Sequence, residues 1–220
     1  MECSRPRVAR LMRKAGIQAR KQRAYKVITT NSKHNYPVAP NTLNRQFWAE
    51  SPNQKWVDDI TYIRTREGWL YLAAVLDIYS RKVVGWAMDK HMEQEWVVSA
   101  LQMAATQRRP GEGVLHHSDR GSQYAAGDYQ RLLDAHKMTM SMSRKGDCYD
   151  NALMESFFST LKAECAIGIY TSRAEARQSI FEYVEVWYNR QRRHSALGYA
   201  SPETFEQRYF ESNSVSTKSL

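Results

Sequence analysis

The spacing of apolar and polar positions changes several times along the chain, and each change predicts an element. Near the N-terminus Val8, Leu11, Met12 and Ala15 recur at helical spacing, with Gly16 placed to stop the helix. Residues 27–52 (VITTNSKHNYPVAPNTLNRQFWAESP) lose that periodicity and carry three prolines among many Asn, Ser and Thr, which predicts an irregular linker. From residue 54 the pattern becomes strand-like over 54–65, again after Gly68 (WLYLAAVLDIYS), and again over 81–88. Turn-like breaks at Arg66–Gly68 and Tyr79–Arg81 join these three as an antiparallel meander. Helical spacing from about Glu93 to Gln107 ends at Pro110 and Gly111. A short apolar run at 113–117 predicts a buried strand, followed by a helix (123–136), a strand (138–142) and two helices over roughly 148–165 and 172–189. The polar run ESNSVSTKSL at 211–220 predicts a disordered tail.

These elements specify an α/β fold: a mixed sheet, with an antiparallel three-strand meander plus parallel strands, flanked by helices. Ligands in such sheets gather where strand ends open into a crevice. The chain divides into a basic helical arm (1–26), a linker (27–52), a core with C-terminal helices (53–210) and the tail (211–220).

Composition narrows the function classes. At 220 residues with 42% hydrophobic content, the chain suits one sizeable domain plus an appendage. No apolar run approaches the ~20 residues that span a bilayer. Cys3, Cys148 and Cys165 are scattered, with no CxxC pair and no zinc-finger spacing, so a reducing, cytoplasmic setting is expected. The net charge of +9 is concentrated in residues 1–26, which hold nine Lys/Arg against one Glu. Such an arm is the electrostatic footprint of nucleic-acid phosphate.

Three carboxylates then stand out. Asp59 interrupts the strand KWVDDITYI, beside Asp58, and alternation sends the two to opposite faces without saying which one meets a site. Asp119 directly follows VLHHS, although Ser118-Asp119-Arg120-Gly121 is also a good β-turn sequence. Glu155 follows Asp119 with 35 residues between them, in the helical stretch DNALMESFFSTLKAE. There Leu153, Phe157 and Leu161 form a buried stripe flanked by Met154 and Cys165. Asn151, Lys162 and Glu155 fall about 160°, 180° and 200° from Leu153, on one polar face. Carboxylates at strand ends and on a nearby helix can hold hard divalent cations, and a pair of such ions clamps both oxygens of a phosphodiester exchange. His116 and His117 lack a ligand partner at useful spacing and are expected in the core or behind the site. No Ser/His/Asp arrangement is visible. Arg190, Arg192, Arg193 and His194 follow the last predicted helix, where they suit phosphate or the helix dipole.

In order, WVDDITYI, LDIYSRKVVGWAM, HHSDRGSQY, GDCYDNALMESFFSTLKAE and YNRQRRHSALGYASPETF resemble the catalytic core of bacterial OrfB-type insertion-sequence transposases. These are relatives of retroviral integrases in the DDE recombinase superfamily, and the resemblance runs over about residues 5–207. It implies a ribonuclease H-like fold with Asp59, Asp119 and Glu155 as catalytic residues and metal ligands, which selects Asp59 over Asp58. It further implies two Mg²⁺ or Mn²⁺ ions with DNA bound, and transposon-end cleavage followed by strand transfer. The implied DNA-contacting residues are Lys162, Arg120, Arg190, Arg192 and Arg193, with Arg10, Arg13, Lys14, Arg20 and Lys21 in the arm. His117 and Asn151 are expected to support the carboxylates. The implied partners are terminal inverted repeats, target DNA, further copies of the chain and an upstream-frame protein, in the bacterial cytoplasm at the nucleoid. The arm is expected as the remnant of a longer helix-turn-helix-like region. A hydrolysis-only nuclease of the same fold and a non-catalytic DNA-binding remnant are the rival readings.

Overall fold

A computed structural model of the chain describes residues 4–17, 34–91 and 95–216. The β-branched and aromatic residues of KWVDDITYIRT form the central strand β1 (Lys55–Thr65). Two tight turns return the chain as β2 (Gly68–Asp77) and β3 (Val83–Asp89), both antiparallel. β4 (Leu115–Ser118) and β5 (Thr139–Met142) add in parallel, giving the order β3-β2-β1-β4-β5. This is the mixed sheet that the sequence predicts.

Both faces of the sheet are covered. Val57, Ile63, Leu70, Leu72 and Leu76 face α5 (Ala152–Glu164) and α6 (Arg173–Glu182), meeting Met154, Phe157, Leu161 and Ile180. Trp56, Ile60, Ala73 and Val75 face α2 (Glu95–Arg108) and two helices that follow β4, meeting Val97, Leu101, Tyr129 and Leu133. Gly85 on β3 lets α2 lie against the strand, since a Cβ there would stand 2.2 Å from the Ala100 carbonyl oxygen.

Four segments depart from expectation. The helix predicted over 123–136 is split into α3 (Ser122–Ala125) and α4 (Gly127–Ala135), because Ala126 is extended at ψ 149°. Residues five apart on one continuous helix would diverge by about 140°, whereas the break lets Tyr124 and Tyr129 converge on one carboxylate. The helix before Glu155 begins as a 3₁₀ turn over Cys148–Asn151. The helix after α6 widens into a π-helical stretch, Tyr183–Tyr188, that delivers the Asn189 carboxamide to β3. There it accepts from the Val83 amide and donates to the Val83 carbonyl, both at 2.9 Å. Finally, a helix not among the expected elements, α7 (Pro202–Ser216), takes in residues 211–216, part of the polar run expected as a disordered tail. No Gly or Pro interrupts it, and Ser212 and Asn213 hydrogen-bond back to the Arg208 and Tyr209 carbonyls.

α7 is anchored by a buried ion pair. Glu206 accepts from both terminal nitrogens of Arg108 at 2.7 Å and from the Ser80 hydroxyl at 2.7 Å. Beside them, burial pushes the Asp77 carboxyl up to about 6, against the amides of Asn53 and Tyr79 that bond it.

At the other end, α1 (Arg5–Lys14) has Pro6 in its first turn and no buried residue. Residues 34–54 cross the core without regular structure, yet Leu43 is buried and the Thr42 and Leu43 amides donate to the Ser141 hydroxyl at 3.0 and 3.1 Å. Arg20 and Lys21 lie outside the described residues. Among the described residues, no helix is long and apolar enough to cross a membrane.

Candidate active site

β4 accompanies β1 only along Lys55–Val57. Beyond Val57, β1 keeps β2 on one side and, among the described residues, has no strand on the other. Asp58 and Asp59 sit where that edge opens. Alternation places Asp59 with Val57 and Ile63 on the α5 face, and Asp58 with Trp56 and Ile60 on the α2 and α4 face. The backbone groups that would continue the ladder are taken locally. The Asp58 carbonyl accepts from Asn151 Nδ2 at 3.1 Å, and the Ile60 amide donates to Asp59 Oδ1 at 2.7 Å.

Asp59 is half-buried, and its carboxyl is held well above the usual range. Burial is the first cause; the negative charges of Asp119, Asp58 and Glu155 add to it, against the Ile60 amide. Asp119 stands one residue beyond β4 in a turn where the Gly121 amide donates to its Oδ1 at 2.7 Å. A Cβ on Gly121 would lie 2.9 Å from that oxygen and 2.9 Å from Gln123 Oε1, so a larger residue there would push both side chains aside. Turn chemistry and a directed carboxylate are therefore one feature. Glu155 is exposed in the first turn of α5. The buried stripe of α5 is Met154, Phe157, Phe158 and Leu161, with Leu153 only half-buried.

Asn151 is not on the polar helix face predicted for it. It belongs to the 3₁₀ turn, is 5% exposed, and its Oδ1 is buried without a hydrogen-bond partner. Lys162 is half-buried with Nζ 4.2 Å from the Tyr62 ring centroid. Burial lowers its pKa and the Asp59 charge raises it. His117 is a core histidine: its ring nitrogens meet the Ser141 and Ser143 hydroxyls at 2.8 and 3.1 Å, tying β4 to β5, and burial lowers it to about 4.

Among the basic residues, Arg120 donates through Nε to the Ser143 carbonyl. Arg192 pairs with Glu164 at 2.9 Å, and Arg190 lies 3.6 Å from Glu203. Arg193, Arg10, Arg13 and Lys14 are exposed.

Sequence reasoning missed Asp150. Its buried side chain accepts from Arg144 Nη2 at 2.7 Å, Arg45 Nε at 2.9 Å and Asn41 Nδ2 at 2.8 Å. Those partners, Arg144 first, hold its carboxyl below the usual range. The cluster locks the loop that leads into α5. A hint lay in Arg144, Asp147 and Asp150 at three-residue spacing, but Arg45 is 105 residues away.

Asp59, Asp119 and Glu155 would offer only oxygen donors, the kind that Mg²⁺ and Mn²⁺ take. Among the described residues, no group of three or more His, Cys, Asp or Glu is gathered closely enough to hold an ion alone. Magnesium commonly takes one or two carboxylates and completes its shell with substrate phosphate and water, so the donor chemistry fits.

Comparison with known proteins agrees with this architecture. Two integrase core domain models match, over residues 49–148 and 136–202. The insertion element IS600 uncharacterized 31 kDa protein of Shigella sonnei is 50% identical over 206 residues, covering 93% of this chain and 75% of that protein. Transposase InsF for insertion sequence IS3A of Escherichia coli K12 is 48% identical over 200 residues, covering 90% and 69%. In fold, the HTLV-2 integrase catalytic core domain in complex with magnesium (trimeric form) matches with a TM-score of 0.52 at 13% identity, covering 72% of this chain and 99% of that one. An intasome chain of simian T-cell lymphotropic virus matches with a TM-score of 0.56 at 14% identity, covering 81% and 61%. Sheet order, flanking helices and these relatives converge: the chain belongs to the IS3/OrfB family of transposases and carries a retroviral-integrase-like DDE catalytic core.

Proposed function

We propose that this chain is a metal-dependent DNA transposase in which Asp59, Asp119 and Glu155 act together on phosphodiesters, cleaving transposon ends and then joining their 3′-hydroxyls to target DNA. One observation carries the proposal. The Asp59 carboxyl feels the charges of Asp119 and Glu155, so acids from β1, the turn after β4 and α5 share one electrostatic neighbourhood. Mg²⁺ or Mn²⁺ held by these oxygens would supply Lewis-acid stabilisation to the attacking and leaving oxygens. The chain's own residues bind and orient. Asp59 projects from a strand stiffened by β2, Gly121 holds the Asp119 carboxylate, and Asn151 ties the start of α5 to β1. Lys162 stands beside Asp59, where it would neutralise a phosphate of the bound strand. The basic helix α1 would add phosphate contacts outside the crevice, within an assembly of several copies on paired DNA ends.

The test uses duplex ends with a pre-exposed 3′-hydroxyl, in Mg²⁺, with Asp59→Asn, Asp119→Asn and Glu155→Gln made singly. Each should lower joining by roughly 10³-fold, since each removes part of a metal-supplied stabilisation of several kcal/mol. Full activity in any one variant removes that residue from the assignment. Hydrolysis without joining in the unmutated protein favours a nuclease. Salt-sensitive DNA binding with no turnover favours a DNA-binding remnant.

A further inference from the structure

Asp58 has no place among the three acids, yet the elements that carry them meet at it. Its Oδ1 accepts from the Tyr124 hydroxyl on α3 at 2.9 Å, and its Oδ2 from the Tyr129 hydroxyl on α4 at 2.7 Å. Having donated its proton, Tyr129 accepts from His116 Nε2 on β4 at 3.1 Å, which fixes the neutral tautomer with Nδ1 bare. Asp58, Tyr124, Tyr129 and His116 are all fully buried.

Three connections lead from this residue to the site. Asp59 is the next residue on the same stiff strand. Tyr124 sits in the first turn of α3, and its amide donates at 3.0 Å to the carbonyl of Gly121, the glycine that holds Asp119. The Asp58 carbonyl receives Asn151, which stands one helical turn before Glu155. The side chain of Asp58 thus leads to the Asp119 turn, and its main chain to the Glu155 helix.

Stability alone gives no reason for a carboxyl here. A buried polar network is commonly no more stable than apolar residues of the same shape, and what it adds is a defined geometry. We infer that Asp58 is a positioning residue, whose bonds to Tyr124, Tyr129 and Asn151 set the spacing of Asp59, Asp119 and Glu155. The inference rests on the assignment of those three to the reaction.

The full-length chain is assayed for joining of pre-cut ends, with kcat, the KM for DNA and the Mn²⁺ concentration for half-maximal rate measured separately. Thermal unfolding of the metal-free protein is recorded alongside. Asp58→Asn keeps an acceptor and a donor for the two hydroxyls, and should stay within about threefold of the unmutated kcat. Tyr124→Phe alone should lower kcat about tenfold. The combined variant Asp58→Leu/His116→Phe/Tyr124→Phe/Tyr129→Phe leaves no hydroxyl and no ring nitrogen of the cluster unpaired and so should fold. It should lose about 100-fold in kcat, the cost of an ångström-scale misplacement, and need more Mn²⁺ while keeping its KM for DNA. A folded combined variant with unmutated kcat and Mn²⁺ requirement overturns the inference. So does a Tyr124→Phe variant of full activity. Asp59→Asn in the same assay separates the two readings: if it is active, the site assignment has failed. If it is inactive beside a fully active combined variant, only the role of Asp58 has failed.

Discussion

The ammonium of Lys162 lies 4.2 Å from the centre of the Tyr62 ring, although alternation puts Tyr62 on the opposite face of β1 from Asp59. The lysine head therefore meets an aromatic ring as well as the charge of Asp59. Lys162→Met should reduce the slope of log affinity for DNA against log salt by about one, the share of a single phosphate contact. Lys162→Arg should keep the slope. An unchanged slope in Lys162→Met would leave the residue as packing for Tyr62.

With a divalent cation at the proposed site, the raised Asp59 carboxyl would make the response to that cation depend on pH. A carboxyl raised on folding contributes stability that is complete below its unfolded value of about 3.9 and is lost as pH rises through its folded value. Above that window Asp59, Asp119 and Glu155 repel one another, and a bound cation would relieve the repulsion. The gain in Tm on adding Mn²⁺ should therefore grow as pH rises, and shrink in Asp59→Asn. A gain independent of pH would place Mn²⁺ elsewhere on the protein.

Glu206 joins α7 to the far end of α2, with its side chain 4% exposed against Arg108 at 13%. Glu206→Ala removes the bidentate partner of Arg108, leaving it Asn53 Oδ1 at 2.8 Å and Asp77 at 3.9 Å, and should cost about 3 kcal/mol, or roughly 6–12 °C in Tm for a chain of this length. Asp77, raised to about 6 by burial, gives up its own contribution as pH climbs from the unfolded value toward 6. Unfolding curves of the protein and of Asp77→Asn should thus diverge across that interval. Parallel curves would remove Asp77 from the linkage.

Period-two patterning and turn residues made the five strands legible, since each strand end coincides with a composition change. The choice between Asp58 and Asp59 was not legible from the pattern, because Val57, Asp58 and Ile60 are all buried and β1 has no solvent face to mark. Only the resemblance to a family selected Asp59. The extended residue Ala126 and the π-helical stretch before Asn189 answer to distant partners, Asp58 and Val83, which local periodicity does not contain. α7 escaped notice because its buried anchor is charged and pairs with Arg108, 98 residues away. Ser201 followed by Pro202 was its signature, a capping hydroxyl that accepts from the Thr204 amide before a first-turn proline. Asp150 shows the same limit: Arg144 is six residues away, but Arg45 comes from 105 residues earlier in the chain.

That last cluster changes how the formal charge of the chain is counted. Arg45 and Arg144 close on Asp150, Arg192 on Glu164, and Arg108 on Glu206. Four cations are thereby committed to carboxylates of the chain itself. The positive charge written in the core sequence overstates what a duplex encounters there. Docking should begin at α1, whose arginines project outward, and reach the crevice second.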